Sequence, residues 1–347
     1  PFITSTMQQE AGRKLRYTAQ RTMAVAQQLY EGLSVGEGGQ VGLITYMRTD
    51  STQVADSALA EVREYIRGRY GKDHLPAKAR VYTKTSKGAQ EAHEAVRPTS
   101  IRRDPASLKD YLSSDQLNLY SLIWSRMLAS QMVDAVSDST RVGVHAQGPN
   151  TLGQTYVFRT TGIVLKFPGF RAVYLEDRDD PEEEENQSIL PELTVGEPLN
   201  CLGVASKKRF TQPPPRYTDA TLIRRLEEEG IGRPSTYAPT LSTILDRNYI
   251  VKEQGRFIPT QLGKVVCDQL TTHFPSIMDL GFTATMEQNL DDIARGEKEW
   301  VSTLREFHAP FQKALALATE EMPRVRVEEP SEEICEICSR PMVIKTG

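Results

Sequence analysis

Apolar positions recur every three to four residues over most of the first 132 positions, the period of amphipathic helices. Met7, Ala11 and Leu15 form one such stripe, with Ser5 and Gln8 spaced as a capping box. Thr18 is placed to cap a second helix with Ala19, Met23, Ala26 and Tyr30 on one face and Gly32 as its stop. A glycine-rich loop, GLSVGEGGQVG (32–42), leads to VGLITYM (41–47), which reads as a short buried strand ending near Tyr46. A helix is predicted to start near Ser51 and to carry Val54, Ala58, Val62 and Ile66 inward. Residues 82–100 read as loop and then a short helix stopped by Pro98, and residues 113–132 as a further amphipathic helix.

The period changes near residue 133. Residues 139–174 alternate apolar and polar positions in short runs, and residues 190–211 look strand-like again, the mark of antiparallel sheet. After PPP (213–215) the helical period returns. Thr218 caps a helix with Leu222, Ile223 and Leu226; a second carries Leu241, Ile244 and Leu245; NYIVKEQGRFIPT reads as a hairpin; Thr260 caps another helix. Helix, turn, helix, hairpin is the order of a winged-helix unit, a common DNA-binding architecture whose presence does not by itself establish function. The chain thus divides into four segments: a helical domain 1–132, a β-rich domain 133–210, a winged-helix-like domain 211–325, and a linker with a cysteine-bearing tail at 326–347. The fold class expected is multi-domain α+β.

Composition changes this picture little. A chain of 347 residues is long for one core, and 39% hydrophobic with 25% charged residues is ordinary for a globular protein. No apolar run reaches the about 18 residues of a membrane span, and no signal-peptide pattern opens the chain, so a cytoplasmic protein is expected. The net charge of -4 decides nothing about nucleic acid, but acid concentrates in 176–185 and 328–333, leaving basic clusters at 13–16, 206–209 and 223–225. Cys201 and Cys267 stand in apolar surroundings, as buried free thiols do. Cys335 and Cys338 form half of a tetrahedral zinc set with no second pair after them, so no zinc is expected in this chain.

Candidate chemistry centres on TYMRTDS (45–51). A tyrosine closing a strand is more often structural than catalytic. A free phenol, with a pKa near 10, needs help to attack a phosphodiester: its proton must leave, and a cation must meet the charge developing on phosphate. In extended backbone residues i and i+2 share a side, so Arg48 could share a phosphate with Tyr46, and N–H groups of the following helix could add to it. His93, in QEAHEAVRPT, lacks the H-E-x-x-H zinc-protease spacing. With Glu91, Glu94 and Arg97 near it, it suits phosphate binding or proton handling as well as a structural role. GIGRPSTYAPT (230–240) offers glycines, Arg233, Ser235 and Thr236 ahead of a helix, which fits a phosphate cradle and an ordinary capped connection about equally. The loop at 32–42 lacks P-loop spacing.

The ordered set decides more than any member. PFITSTMQQEAGRKL, GLITYMRTDST, EAHEAVRPT, RYTDATLIRRLEEEGIGRPSTYAPTLSTILDRNYI and FTATMEQNLDDIARGE together resemble the bacterial topoisomerase I branch of the type IA DNA topoisomerases. The resemblance runs along the whole chain and is weakest over the β-rich region and acidic tract. It implies that Tyr46 is the nucleophile of a transient 5′-phosphotyrosine link, that Arg48 holds the scissile phosphate, and that His93 helps organise it. It further implies that Arg97, Arg233, Ser235 and Thr236 lie on a mainly single-stranded DNA path, that negative supercoils are relaxed by strand passage without ATP, and that the protein is monomeric. The fold implied is a toroid: a helical tyrosine-bearing domain, an antiparallel β arch and a winged-helix-like DNA gate. Mg²⁺ is implied through a Toprim domain, for which nothing here offers a counterpart, so the chain is expected to be the middle of the enzyme and to cleave poorly alone. The rival is a winged-helix module that holds single-stranded DNA without chemistry.

Overall fold

The computed structural model describes residues 1–36, 39–82, 93–148, 153–176, 190–323 and 328–345. The chain is mostly helical with small antiparallel sheets.

Helix α1 (Thr4–Leu15) buries Met7 and Ala11, as their spacing predicts. Ser5 does not cap it. The helix starts two residues earlier, after Ile3, whose N–H donates to Thr6 Oγ1 at 3.0 Å. Helix α2 (Ala19–Glu31) is capped by the Thr18 side chain and ends at Gly32, whose φ of 113° suits glycine. Its buried face is Ala19, Thr22, Val25, Ala26 and Leu29; Tyr30, assigned to the buried stripe by spacing alone, is exposed. Strands β1 (Leu33–Ser34) and β2 (Gln40–Val41) form a two-rung hairpin.

The strand expected to run up to Tyr46 stops at Val41. From there to Thr49 the chain is woven among its neighbours rather than laddered. Ile44 bridges Pro98, Phe2 bridges Val96, and the N–H groups of Thr45 and Thr99 donate to Arg97 and Leu43 carbonyls at 2.9 Å. Thr4 N–H and hydroxyl both bond the Thr49 carbonyl. The segments around residues 1–4, 43–49 and 93–99 thus satisfy one another's backbone groups without a sheet. Residues 93–97 are not helical, so the short helix before Pro98 is absent there; residues 83–92 fall outside the described set.

Helix α3 (Asp56–Tyr70) begins later than the Ser51 start predicted and buries Ala58, Val62 and Ile66. Helix α4 (Ser114–Ser130) opens on a full capping box between Ser113 and Gln116 and buries Leu119, Tyr120, Ile123, Met127 and Leu128. Its polar handles are satisfied: Trp124 Nε1 donates to Ile101 O at 2.9 Å and Tyr120 hydroxyl to Arg103 O at 2.6 Å. Phe2, Leu43, Ile44 and Met47 join these helices in one core. Glu10, buried on α1, accepts from Arg13 at 2.9 Å and from the Tyr174 hydroxyl at 2.5 Å. Burial first, and the bond to Glu10 next, push the Tyr174 phenol far above its ordinary range.

Strands β3 (Val136–Ala146) and β4 (Tyr156–Phe167) form one long hairpin. Gly169 packs at its root with φ of 50°, where an added Cβ would stand 2.4 Å from the Asp134 carbonyl. The second strand-like stretch is a correction: residues 190–211 carry neither helix nor strand. Alternation there has no partner strand among the described residues to turn it into a ladder, and strands exist only in pairs. The acidic tract from 177 to 185 lies outside the described residues.

Helix α5 (Asp219–Glu228), helix α6 (Tyr237–Asp246), the hairpin of β5 (Ile250–Glu253) and β6 (Arg256–Pro259), and helix α7 (Gln261–His273) keep the predicted order, with Thr218 and Thr260 as caps. Helices α8 (Pro275–Met278), α9 (Leu280–Ala294) and α10 (Trp300–Glu321) come next. Residues 328–334, read as linker, are instead strand β7 (Glu328–Ile334), paired with β8 (Pro341–Lys345). Cys335 and Cys338 sit at the turn between them. Cys201 and Cys267 are exposed rather than buried, because their neighbours do not pack over them.

A second, smaller core gathers Ile223, Tyr237, Ala238, Leu241 and Phe257 around Ala19 of α2, with Met23 touching both cores. Helix α1 packs on α5 and α2 on α6. The candidate site forms along this seam.

Candidate active site

Burial varies from residue to residue along Leu43–Thr49. Leu43, Ile44, Met47 and Thr49 point into the core, Tyr46 is half-buried, and Arg48 is exposed. Met47 in the core therefore turns Tyr46 and Arg48 out on either side of it, although no strand ladder holds them. Both line one cavity of about 500 Å³, together with Tyr30, Asp50, His93 and Arg233. Close packing behind the segment requires glycine at position 42, where a Cβ would stand 2.8 Å from the Tyr30 carbonyl. Leu43 N–H donates to Leu29 O at 2.7 Å, fastening the end of α2 to the segment that carries Tyr46.

The Tyr46 ring touches two others. His93 lies 5.2 Å away between centroids, tilted by 36°, and Tyr30 lies 5.4 Å away, nearly edge-on at 65°. Among the described residues, the Tyr46 hydroxyl, the His93 ring nitrogens and the Arg48 guanidinium have no hydrogen-bond or ion-pair partner. Three groups able to bond a phosphate thus face one space uncommitted.

Across the seam, the turn before α6 supplies Arg233, Pro234 and Ser235 to the same cavity. Positive φ at Gly230 (70°) and Gly232 (83°) shapes this turn. Thr236 is committed to it: its Oγ1 accepts from Arg233 N–H at 2.8 Å and donates back to the Arg233 carbonyl at 3.2 Å, and it does not line the cavity. Arg233 is held by Asp291 of α9 at 2.7 Å, with Glu287 at 3.8 Å and the Gly232 carbonyl at 2.8 Å. Tyr237, just behind, has its phenol pushed up to about 12 by burial first and by the nearby Glu227 carboxylate next. A second cavity of about 460 Å³ adjoins, sharing Thr49, Asp50, Arg233 and Pro234.

Arg97 is not in the cavity. Its guanidinium bonds Glu94 at 2.6 Å and the Pro98 carbonyl at 2.9 Å, and the side chain is largely buried. Burial alone would raise the Glu94 carboxyl; the Arg97 bond and charge, with the Ala55 N–H, outweigh it and hold the group below the usual carboxylate range. Arg97 thus braces the loop behind His93. The structure gathers Tyr46, Arg48, His93, Arg233 and Ser235 and leaves Arg97 and Thr236 as supports. Sequence reasoning passed over Tyr30, Asp50 and Asp291. Asp50 stands inside the TYMRTD run and Asp291 inside FTATMEQNLDDIARGE, so the signal was present without a reason to assign either a role.

Among the described residues, no group of three or more His, Cys, Asp or Glu is placed to hold a metal ion. Asp50 stands without a second free carboxylate in the cavity, since Asp291 is taken by Arg233. Among the described residues, those lining the cavity do not fit a divalent-cation site.

A tyrosine, an arginine and a histidine thus converge on one cleft of a mostly helical α+β body. The chain belongs to the type IA DNA topoisomerase family: the family described as DNA topoisomerase matches residues 1–305. It is also similar to the full-length topoisomerase I of Thermotoga maritima, at 35% identity and a TM-score of 0.75. That match covers 100% of this chain and 54% of the other, so this chain spans about half the length of its relative. Members of the family use Mg²⁺ through a Toprim domain. No helix among the described residues is long and apolar enough to cross a membrane.

Proposed function

We propose that Tyr46 is the nucleophile of a DNA strand-cleavage and rejoining reaction that changes DNA topology. The observation that carries this is the shared cavity in which Tyr46, Arg48 and His93 stand unpaired among the described residues, with Arg233 on the opposite wall. The Tyr46 phenol oxygen forms a bond to phosphorus and the DNA 3′-oxygen leaves; the phenol gives up its proton and the 3′-oxygen gains one. Arg48 meets the charge that grows on the non-bridging oxygens, where an aimed cation contributes most. His93 lies against the Tyr46 ring and organises the same phosphate. One ester replaces another, so the bond energy is kept in the phosphotyrosine, and reversal reseals the strand without ATP. Arg233 and Ser235 guide the single strand across the seam, Thr236 shapes their turn, and Arg97 braces the His93 loop. In the whole enzyme the long β3–β4 hairpin would contribute to the arch of a toroid. The protein would act as a monomer on DNA in the cytoplasm and relax negative supercoils. Mg²⁺ would come from the acidic cluster of the family's Toprim domain.

The test is incubation with a 3′-labelled single-stranded oligonucleotide, with and without a Toprim-containing fragment of a relative. A denaturing gel should show a covalent adduct in the complemented reaction that Tyr46→Phe abolishes while binding persists. Binding without any adduct, even after complementation, would favour a module that holds DNA without chemistry.

A further inference from the structure

Tyr46 lies outside any helix or strand, and its hydroxyl has no partner among the described residues. Backbone pairing therefore fixes its Cα but not the direction of its ring. Two rings supply that direction, and they differ in how firmly they are held. His93 belongs to irregular chain. Tyr30 belongs to the last turn of α2, whose carbonyls are packed against the Tyr46 segment: Leu29 O accepts from Leu43 N–H at 2.7 Å, and Gly42 abuts the Tyr30 carbonyl. Tyr30 has little packing duty of its own. It is 40% exposed and stands on the cavity wall, outside the buried set of its helix.

We propose that Tyr30 is a positioning residue for Tyr46: its ring, carried on the rigid end of α2, meets the Tyr46 ring edge-on and holds the phenol aimed into the cavity beside Arg48. This rests on Tyr46 being the nucleophile. Edge-to-face aromatic pairs favour one relative orientation, and a reacting atom out of line by about 1 Å costs rate rather than affinity. The contact is made by the ring, so the Tyr30 hydroxyl is dispensable. Binding of DNA needs no Tyr30, because the cations that meet phosphate are Arg48 and Arg233.

The experiment uses the full 347-residue chain, complemented by a Toprim-containing fragment, and compares Tyr30→Ala with Tyr30→Phe. Tyr30→Ala should lower the single-turnover rate of adduct formation about tenfold and leave the oligonucleotide Kd within about twofold. Tyr30→Phe should recover the rate to within about twofold of wild type. A wild-type rate in Tyr30→Ala overturns the proposal. So does a loss of binding as large as the loss of rate, which would make Tyr30 a stacking platform for a base. If the parent protein forms no adduct at all, the reading of Tyr46 fails, and a second measurement decides the role of Tyr30 separately. With 3-fluorotyrosine placed at position 46, the fluorine resonance should move in Tyr30→Ala and stay in Tyr30→Phe; an unmoved line in Tyr30→Ala overturns the placement.

Discussion

Arg48→Ala gives the sharpest test of the site. The side chain is exposed and has no hydrogen-bond or ion-pair partner among the described residues, so its removal should change folding stability by less than about 0.5 kcal/mol. Its place on the wall of the Tyr46 cavity points instead to an effect on the reaction. Two unit charges about 4 Å apart attract by about 1 kcal/mol in water and about 4 kcal/mol at an effective dielectric of about 20. Exposure places Arg48 in the lower part of that range, at about 1–2.5 kcal/mol, or about 5- to 70-fold in rate. Arg48→Lys keeps the charge but loses the planar fork and should recover part of the rate. The assay is single-turnover adduct formation on a labelled oligonucleotide in the complemented system, with thermal unfolding as the control. Raising the salt should narrow the gap between wild type and Arg48→Ala, because an exposed charge is screened over about 8–10 Å. A wild-type rate in Arg48→Ala with unchanged folding would refute the reasoning, and so would a gap indifferent to salt.

The packing leads to three further expected outcomes. In Asp291→Ala the Arg233 guanidinium loses its 2.7 Å partner and stands more positive over the cleft. Single-stranded oligonucleotide binding should tighten a few-fold and depend more steeply on salt, and weaker binding in a salt titration would contradict this. Glu94 has its carboxyl held below the unfolded value, chiefly against its own burial, by Arg97. That contribution is present above about pH 4.3 and is lost as pH falls through the folded pKa. Glu94→Gln should therefore be less stable near neutrality, by under about 1 kcal/mol because the pair is partly exposed, with the difference in urea midpoints closing below about pH 4. Gly263→Ala places a Cβ 2.0 Å from the Tyr249 carbonyl, which already accepts from Thr260 N–H at 3.0 Å, so α7 must move away from the α6–β5 corner. A loss of about 1–3 kcal/mol in urea unfolding is expected, and wild-type stability would show that the contact is not tight.

The sequence by itself determined the parts whose causes are local. The helices around Met7 and Ala11, around Ala58, Val62 and Ile66, and from Ser114 to Ser130 arise from periodicity, and the third also from its Ser113 cap. So does the order α5, α6, hairpin, α7, since caps, turns and stripes act within a few residues. The Tyr46–Arg48 spacing drew attention to both residues, but the extended chain expected to place them on one side is absent, since the backbone bends at Met47 and Arg48; the ordered motifs carried the family. Tertiary structure decided the rest. Alternation at 190–211 makes no strand, because a strand needs a partner that the letters do not name. Apolar residues at 43, 44 and 47 make a woven segment rather than a ladder, because residues 1–4 and 93–99 take its hydrogen bonds from about 40–50 positions away. Distance along the chain hid the partner of Arg233, while that of Arg97 stands three residues away. Arg97 and Arg233 look alike in sequence, but Glu94 and the Pro98 carbonyl use up the first. Asp291, 58 residues downstream, meets the second at the cavity wall. Whether a cation faces the cleft or braces a loop is set by the carboxylates beside it, and for Arg233 only packing brings them.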